Sequence, residues 1–245
     1  MLATHRPQTN LRPVTKVDQR GSEVIDVEAN LLEFITNGRA ASGLLPSERY
    51  ASFDYCFNYF QSFREAGRLA ELVGREHLQS SCLEIGFYLA SWGMLRGSSF
   101  LLNKSAKFYE PLIAAIASAE PALWDIDADR YTPANVRLLL DYKDTVRRAL
   151  GRANNPSDTL VSKIMLGVFG NVPAFDTAFR KGFGVGAFSK GSLERIAEFY
   201  RTHADIVDKH RIPTMDFETG AQTHRLYTQA KVIDMIFFIE GIKSA

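Results

Sequence analysis

The chain has 245 residues, 46% of them hydrophobic and 23% charged, the composition of an ordinary folded globule with room for one large domain or two small lobes. Its net charge of +1 excludes a polycation, so any nucleic-acid face has to be local. Two cysteines, Cys56 and Cys82, are too few for a disulfide framework or a zinc knuckle, and no stretch reaches the roughly 20 apolar residues that span a bilayer.

Residues 1–21 are polar and basic, with Pro7 and Pro13, and are expected to form an arm ahead of a helical body over 22–245. The opening residues carry no apolar signal-peptide run, which points to the cytoplasm. From Val27 onward the period is helical. Leu31, Leu32 and Ile35 share one face of a helix ending near Gly38. Pro46 opens a helix whose stripe of Tyr50, Phe53, Phe57, Phe60 and Phe63 recurs at three- and four-residue steps, the pattern of a core face. Residues 76–95 read as a further helix, apolar on most sides after Cys82 and therefore central. A helix over 105–119 follows, then Thr132-Pro133, a cap and first-turn proline that start a helix over 134–150.

The cluster Asn154, Asn155, Pro156, Ser157, Asp158, Thr159 is a turn and N-cap that launches a helix over 160–170. Beyond Gly170 comes a short Asn171-Val172 corner. Pro173 is expected to open the next helix, with Asp176 just inside it, where the positive end of the helix dipole suits a carboxylate. Such an acid is most often simple dipole compensation, worth about 0.3–1 kcal/mol. Glycines over 182–186 predict a flexible break, and helices over 192–209 and 223–242 complete the chain. No alternating strands bracketed by hairpin turns stand out. The class is all-α, about ten helices in two lobes around a cleft.

No cofactor or metal signature is present. His203 and His210 lie two helical turns apart, about 10 Å, too far for one ion. No Walker loop or nucleophile elbow occurs. The candidate chemistry is the carboxylate at the corner. Cations concentrate on both sides of it: Arg96, Lys104 and Lys107; then Lys143, Arg147, Arg148 and Arg152; then Arg180, Lys181 and Lys190. Tyr88 and Trp92 share a helix face and are expected to be core aromatics or a stacking platform.

The run Val168-Phe-Gly-Asn-Val-Pro-Ala-Phe-Asp-Thr-Ala-Phe179 resembles the second half of the signature of the helix-hairpin-helix (HhH-GPD) DNA glycosylase superfamily, in which a Gly/Pro corner leads to an Asp-Thr pair that opens a helix. The match covers residues 154–181, with softer echoes in residues 91–97 and 231–238. The resemblance implies a DNA glycosylase that flips a base out of double-stranded DNA and cuts its N-glycosidic bond, with Asp176 as the catalytic carboxylate and no cofactor or metal. It implies DNA contacts from Arg96, Arg148, Arg152, Asn154, Asn155, Ser157, Thr159, Arg180 and Lys181, and a base pocket of Tyr88, Trp92 and Asn171.

The chain departs from the pattern in two places. The Gly-x-Gly phosphate turn is absent from residues 152–159. The Schiff-base lysine of bifunctional members is replaced by Thr159, with Lys163 one turn further on as the nearest amine. A monofunctional, hydrolytic enzyme is therefore expected, a monomer, with Lys163 as the alternative nucleophile. The chain also looks like divergent bacterial glycosylases that excise hypermodified cytosine, such as glucosylated hydroxymethylcytosine, from phage DNA. Repair of damaged bases is the competing role, and a non-enzymatic helical binding module is the reading from a different class.

Overall fold

The computed structural model describes residues 25–36 and 44–244, so the expected arm over 1–21 and the helix end near Gly38 lie outside the described residues. Nine α-helices are present among them: α1 Val27–Thr36, α2 Ala51–Glu65, α3 Leu78–Ser91, α4 Glu110–Ala117, α5 Pro133–Ala149, α6 Asp158–Phe169, α7 Thr177–Phe183, α8 Lys190–Lys209 and α9 Gln229–Lys243. Short 3-10 turns link several of them. All nine contribute to one continuous apolar core. No described helix is long and apolar enough to cross a membrane.

The helix starts follow their caps. Thr132 accepts from the Asn135 amide to open α5, with Pro133 in its first turn, and Ser157 accepts from the Leu160 amide to open α6. The central elements are α6 and α9: every residue from Leu160 to Phe169 is buried, as is nearly all of α9 down to Gly241. The expectation that α3 is central is corrected, because Leu83 and Phe87 stand 51% and 70% exposed on its outer face. The apolar run there is only partly used by the core.

Two further corrections concern the last third of the chain. Residues 213–226 form an antiparallel hairpin, β1 Pro213–Met215 with β2 Gln222–Leu226, where no strand was expected and where helix was expected to begin at 223. The side chains of β2 that turn inward are Thr223 and Arg225, so its pleat alternates in burial without alternating in hydropathy. The break expected over residues 182–186 begins only after Phe183, between α7 and α8. Gly182 lies inside α7 and faces Gly241 of α9, and these two helices meet backbone to backbone. Gly184, at φ +68°, ends α7 in the left-handed conformation that a residue with a Cβ avoids.

The hairpin is tied to the core through a buried acid. Asp54 of α2 accepts from the Met215 amide at 2.8 Å and from the Tyr227 hydroxyl at 2.6 Å. Burial raises its carboxyl to about 7, against the pull of these bonds and of Lys231. Asp127 plays the equivalent part at the start of α9. It accepts from the amides of Ala128, Gln229 and Ala230, and burial raises it to about 6.

Candidate active site

The α6–α7 corner is built by side chains that hold its backbone. Gly170, at φ +68°, turns the chain out of α6, and the Thr228 hydroxyl donates to its carbonyl at 2.6 Å. Residues 171–176 are then non-helical, which corrects the expectation that Pro173 opens a helix. Long-range bonds hold the amides of this segment: Ala174 N donates to Asp234 Oδ1 at 2.9 Å and Phe175 N to Ser162 Oγ at 2.8 Å. The Thr159 hydroxyl donates to the Phe175 carbonyl at 2.9 Å, which brings the first turn of α6 alongside the corner.

Asp176 is therefore the N-cap of α7 rather than a residue inside it. Its Oδ1 accepts from the Phe179 amide at 2.9 Å, which leaves Oδ2 to face Lys163 Nζ at 3.4 Å. Thr159 and Lys163 are one turn apart on α6, so the same helix face holds the corner and presents the amine. Lys163 Nζ makes its shorter contact, 3.0 Å, as a donor to the Trp92 carbonyl, and lies 3.4 Å from Asp176. The two side chains are only 7% and 15% exposed. Burial lowers the Lys163 ammonium below the usual lysine range, opposed by the negative charges of Asp176 and Asp234 and assisted by Arg96.

A second buried pair lies beside the first. Lys231 and Asp234 of α9 meet at 3.0 Å with side chains 2% and 8% exposed. Burial raises Asp234, with Lys231 pulling the other way. Trp92 stands between the pairs. Lys163, Lys231 and Arg49 approach its ring to 5.9, 5.4 and 5.1 Å, and its indole N–H is buried without a partner. Trp92, Tyr88, Phe238 and the two pairs enclose a void of about 10 Å³, room for about one water molecule. Gly167 is glycine because the Tyr88 ring occupies the place of its side chain.

A wider crevice of about 250 Å³ opens between α2, residues 124–130 and the start of α9, away from this chemistry. Its carboxylates are already engaged: Asp125 with Arg64, Asp127 with three amides and Asp129 with Arg130. The smaller void at Asp176 brings a carboxylate against a buried amine and is the better candidate site.

The remaining expected site residues divide by position. Tyr88, Trp92, Lys163 and Asp176 line one void, and Arg96 acts on Lys163 from the segment after α3. Asn171 does not join them. Its amide donates to the Leu123 carbonyl and its own carbonyl accepts from Tyr131, so it turns away from the base pocket expected for it. Arg148 and Arg152 are exposed near the α5–α6 hairpin, and Asn155 there has φ +47°, a left-handed turn position filled without glycine.

Other polar groups around the hairpin serve the backbone. Asn154 donates to the Leu150 carbonyl, Ser157 caps α6, and Thr159 holds Phe175. Arg180 donates to the carbonyls of Asp176 and Gly186, and Lys181 to that of Ser244. Sequence reasoning missed Asp234 as the acceptor for the corner and Ser162 as its companion. An acid within the apolar run of α9 was the available signal for the first; Ser162 had none.

No described cluster of three or more His, Cys, Asp or Glu residues is arranged to hold a metal ion. No known family matches the chain, and no curated protein or solved structure is significantly similar to it.

Proposed function

We propose that the chain is a DNA glycosylase of the helix-hairpin-helix kind, two helical lobes around a cleft, acting as a cytoplasmic monomer on double-stranded DNA. The observation that carries the reading is the buried Lys163–Asp176 pair at the α6–α7 corner, walled by Tyr88 and Trp92. A buried amine beside a buried carboxylate is an expensive arrangement for stability alone and a common one for chemistry.

Cleavage of an N-glycosidic bond builds positive charge on the sugar. Asp176, fixed by the Phe179 amide, is placed to stabilise that charge and to orient an attacking water. A charged Lys163 at 3.4 Å would cancel the field of the carboxylate. Burial favours the neutral amine, which is itself a nucleophile. In that second reading the Lys163 nitrogen bonds to C1′ as the C1′–base bond breaks. The electron pair leaves with the base, which takes up a proton from solvent, and the amine's proton passes through Asp176 to O4′ as the C1′–O4′ bond breaks and the ring opens to a protonated Schiff base. The Lys163–Asp176 contact favours this route over water attack.

A nucleobase is many times larger than a 10 Å³ void, so the flipped base enters only with displacement of a wall. Trp92, half-buried and just past the end of α3, is the wall best placed to move. Arg96, Arg148 and Arg152 supply exposed charge for phosphate. The substrates that fit are a damaged base, in repair, or a hypermodified cytosine such as the glucosylated hydroxymethyl form of phage DNA, in antiviral defence.

The test is incubation with damaged, unmodified and phage-modified duplexes, followed by detection of abasic sites with and without borohydride. Abasic sites are expected on one class of duplex. A borohydride-trapped protein–DNA adduct lost in Lys163→Met assigns the amine route; abasic sites without an adduct assign water. Absence of abasic sites on every duplex refutes the enzyme and leaves a helical binding module.

A further inference from the structure

Building on the glycosylase reading, we propose that Asp234, held by Lys231, is a positioning residue that fixes the corner carrying Asp176. Asp234 lies on α9, 60 residues along the chain from Ala174, and its Oδ1 accepts the Ala174 amide at 2.9 Å. Ala174 is two residues ahead of Asp176 and is 5% exposed, so its amide has no access to bulk water as an alternative partner. The other carboxylate oxygen of Asp234 takes Lys231 Nζ at 3.0 Å. Lys231 Nζ in turn lies over the rings of Phe34, Phe53 and Trp92 at 5.0, 4.9 and 5.4 Å.

One carboxylate therefore reaches both walls of the candidate site: the corner through Ala174, and the Trp92 ring through Lys231. The carbonyl of the same Trp92 takes the hydrogen bond from Lys163. Stability gives little reason for this arrangement. Replacing a buried ion pair with apolar residues is often neutral or favourable, and Val232, Ile233, Met235 and Ile236 around the pair are already apolar. Asp234 touches neither Lys163 nor Asp176 by any hydrogen bond, so its part is to hold the corner rather than to react. The charged groups facing the pair are Asp234 and Lys231 from α9 and Arg96 from the segment after α3, with Arg49 at the start of α2 over Trp92.

The test compares Asp234→Ala, Asp234→Asn and the apolar double variant Lys231→Met/Asp234→Leu with the wild type. On the duplex that the wild type cleaves, the rate at saturating enzyme falls about 10–100-fold in Asp234→Ala and in the double variant, because a misplacement near 1 Å costs up to about 100-fold. Binding to the same duplex changes less than about threefold. Asp234→Asn keeps an oxygen for the Ala174 amide and recovers most of the rate. The double variant, with no unpaired buried charge, is slow despite a melting temperature close to that of the wild type.

Amide exchange at Ala174, measured without DNA, is at least tenfold faster in the double variant. A double variant with wild-type rate and wild-type Ala174 protection overturns the proposal, as does an Asp234→Asn variant as slow as Asp234→Ala. A wild type that cleaves no duplex refutes the glycosylase reading instead, and Ala174 exchange still decides whether Asp234 holds the corner.

Discussion

Replacing Gly241 with alanine tests how tightly the fold sets the position of Asp176. A methyl group built on Gly241 would lie 2.9 Å from the Ala178 Cα and closer still to the Ala178 carbonyl. The reciprocal position is equally filled: a methyl on Gly182 would lie 2.7 Å from the Gly241 amide nitrogen. Carbon atoms settle at roughly 3.5–4.0 Å, so α7 and α9 would have to part by about an ångström. Overpacking a close contact typically costs about 1–3 kcal/mol, and two backbones leave no flexible side chain to yield, which puts Gly241→Ala at about 3 kcal/mol or more.

Because Asp176 caps α7, the same displacement moves the carboxylate relative to Lys163, which sits on α6. Urea unfolding followed by circular dichroism reads the stability, and Gly186→Ala is the control, since nothing lies within 4 Å of a methyl there. The control is expected to change stability by less than about 0.5 kcal/mol. A Gly241→Ala variant as stable as the wild type would refute the backbone-to-backbone contact and, with it, the rigid placement of Asp176.

Other consequences are equally open to measurement. Asp54 has a folded pKa of about 7 against 3.8 in the unfolded chain, so its contribution is complete below about pH 4 and is lost as pH rises through 7. The wild type should gain stability as pH falls from 8 to about 5. Asp54→Asn should remove most of that slope and stabilise at pH 8 by up to about 4 kcal/mol; an unchanged slope in melting temperature against pH contradicts this. Asp127→Ala strands the Gln229 and Ala230 amides at the start of α9 and should cost about 2–4 kcal/mol in urea unfolding, with a loss under 1 kcal/mol counting against the cap. In Trp124→Phe, Trp92 is the only tryptophan, so binding of an abasic-site duplex should change its emission if the indole moves to admit the sugar; unaltered emission on saturation would place the opening elsewhere.

What could be read from the chain depended on whether the signal was local. Thr132-Pro133 and the Ser157 cap set their helices at the expected places, because a cap and its amide lie within three residues. The corner carboxylate was legible for the same reason, although its exact place was off by one turn element. Asp176 caps α7 rather than lying within it, and the segment ahead of it is held by distant Asp234 and Ser162, which accept the Ala174 and Phe175 amides. The hairpin was illegible because β2 turns Thr223 and Arg225 inward, and the Arg225 guanidinium is paired with Glu65 of α2 in a way no local pattern announces. Asp54 carries a local signal of its own: an acid set between Phe53 and Phe57 on a core-facing stripe is buried unless the helix turns. The meeting of Lys163 with Asp176, 13 residues apart across a glycine turn, requires the corner itself and could not come from spacing.

The most direct test of the central claim is single-turnover base excision by Asp176→Asn beside the wild type. Asparagine is as good an N-cap as aspartate and can still accept from the Phe179 amide, so the fold and the start of α7 are retained. What it lacks is the negative charge facing the sugar. The account predicts a melting temperature near that of the wild type with excision reduced by at least 100-fold. A folded Asp176→Asn that releases the base at the wild-type rate would contradict it and return Asp176 to the plain role of a helix cap.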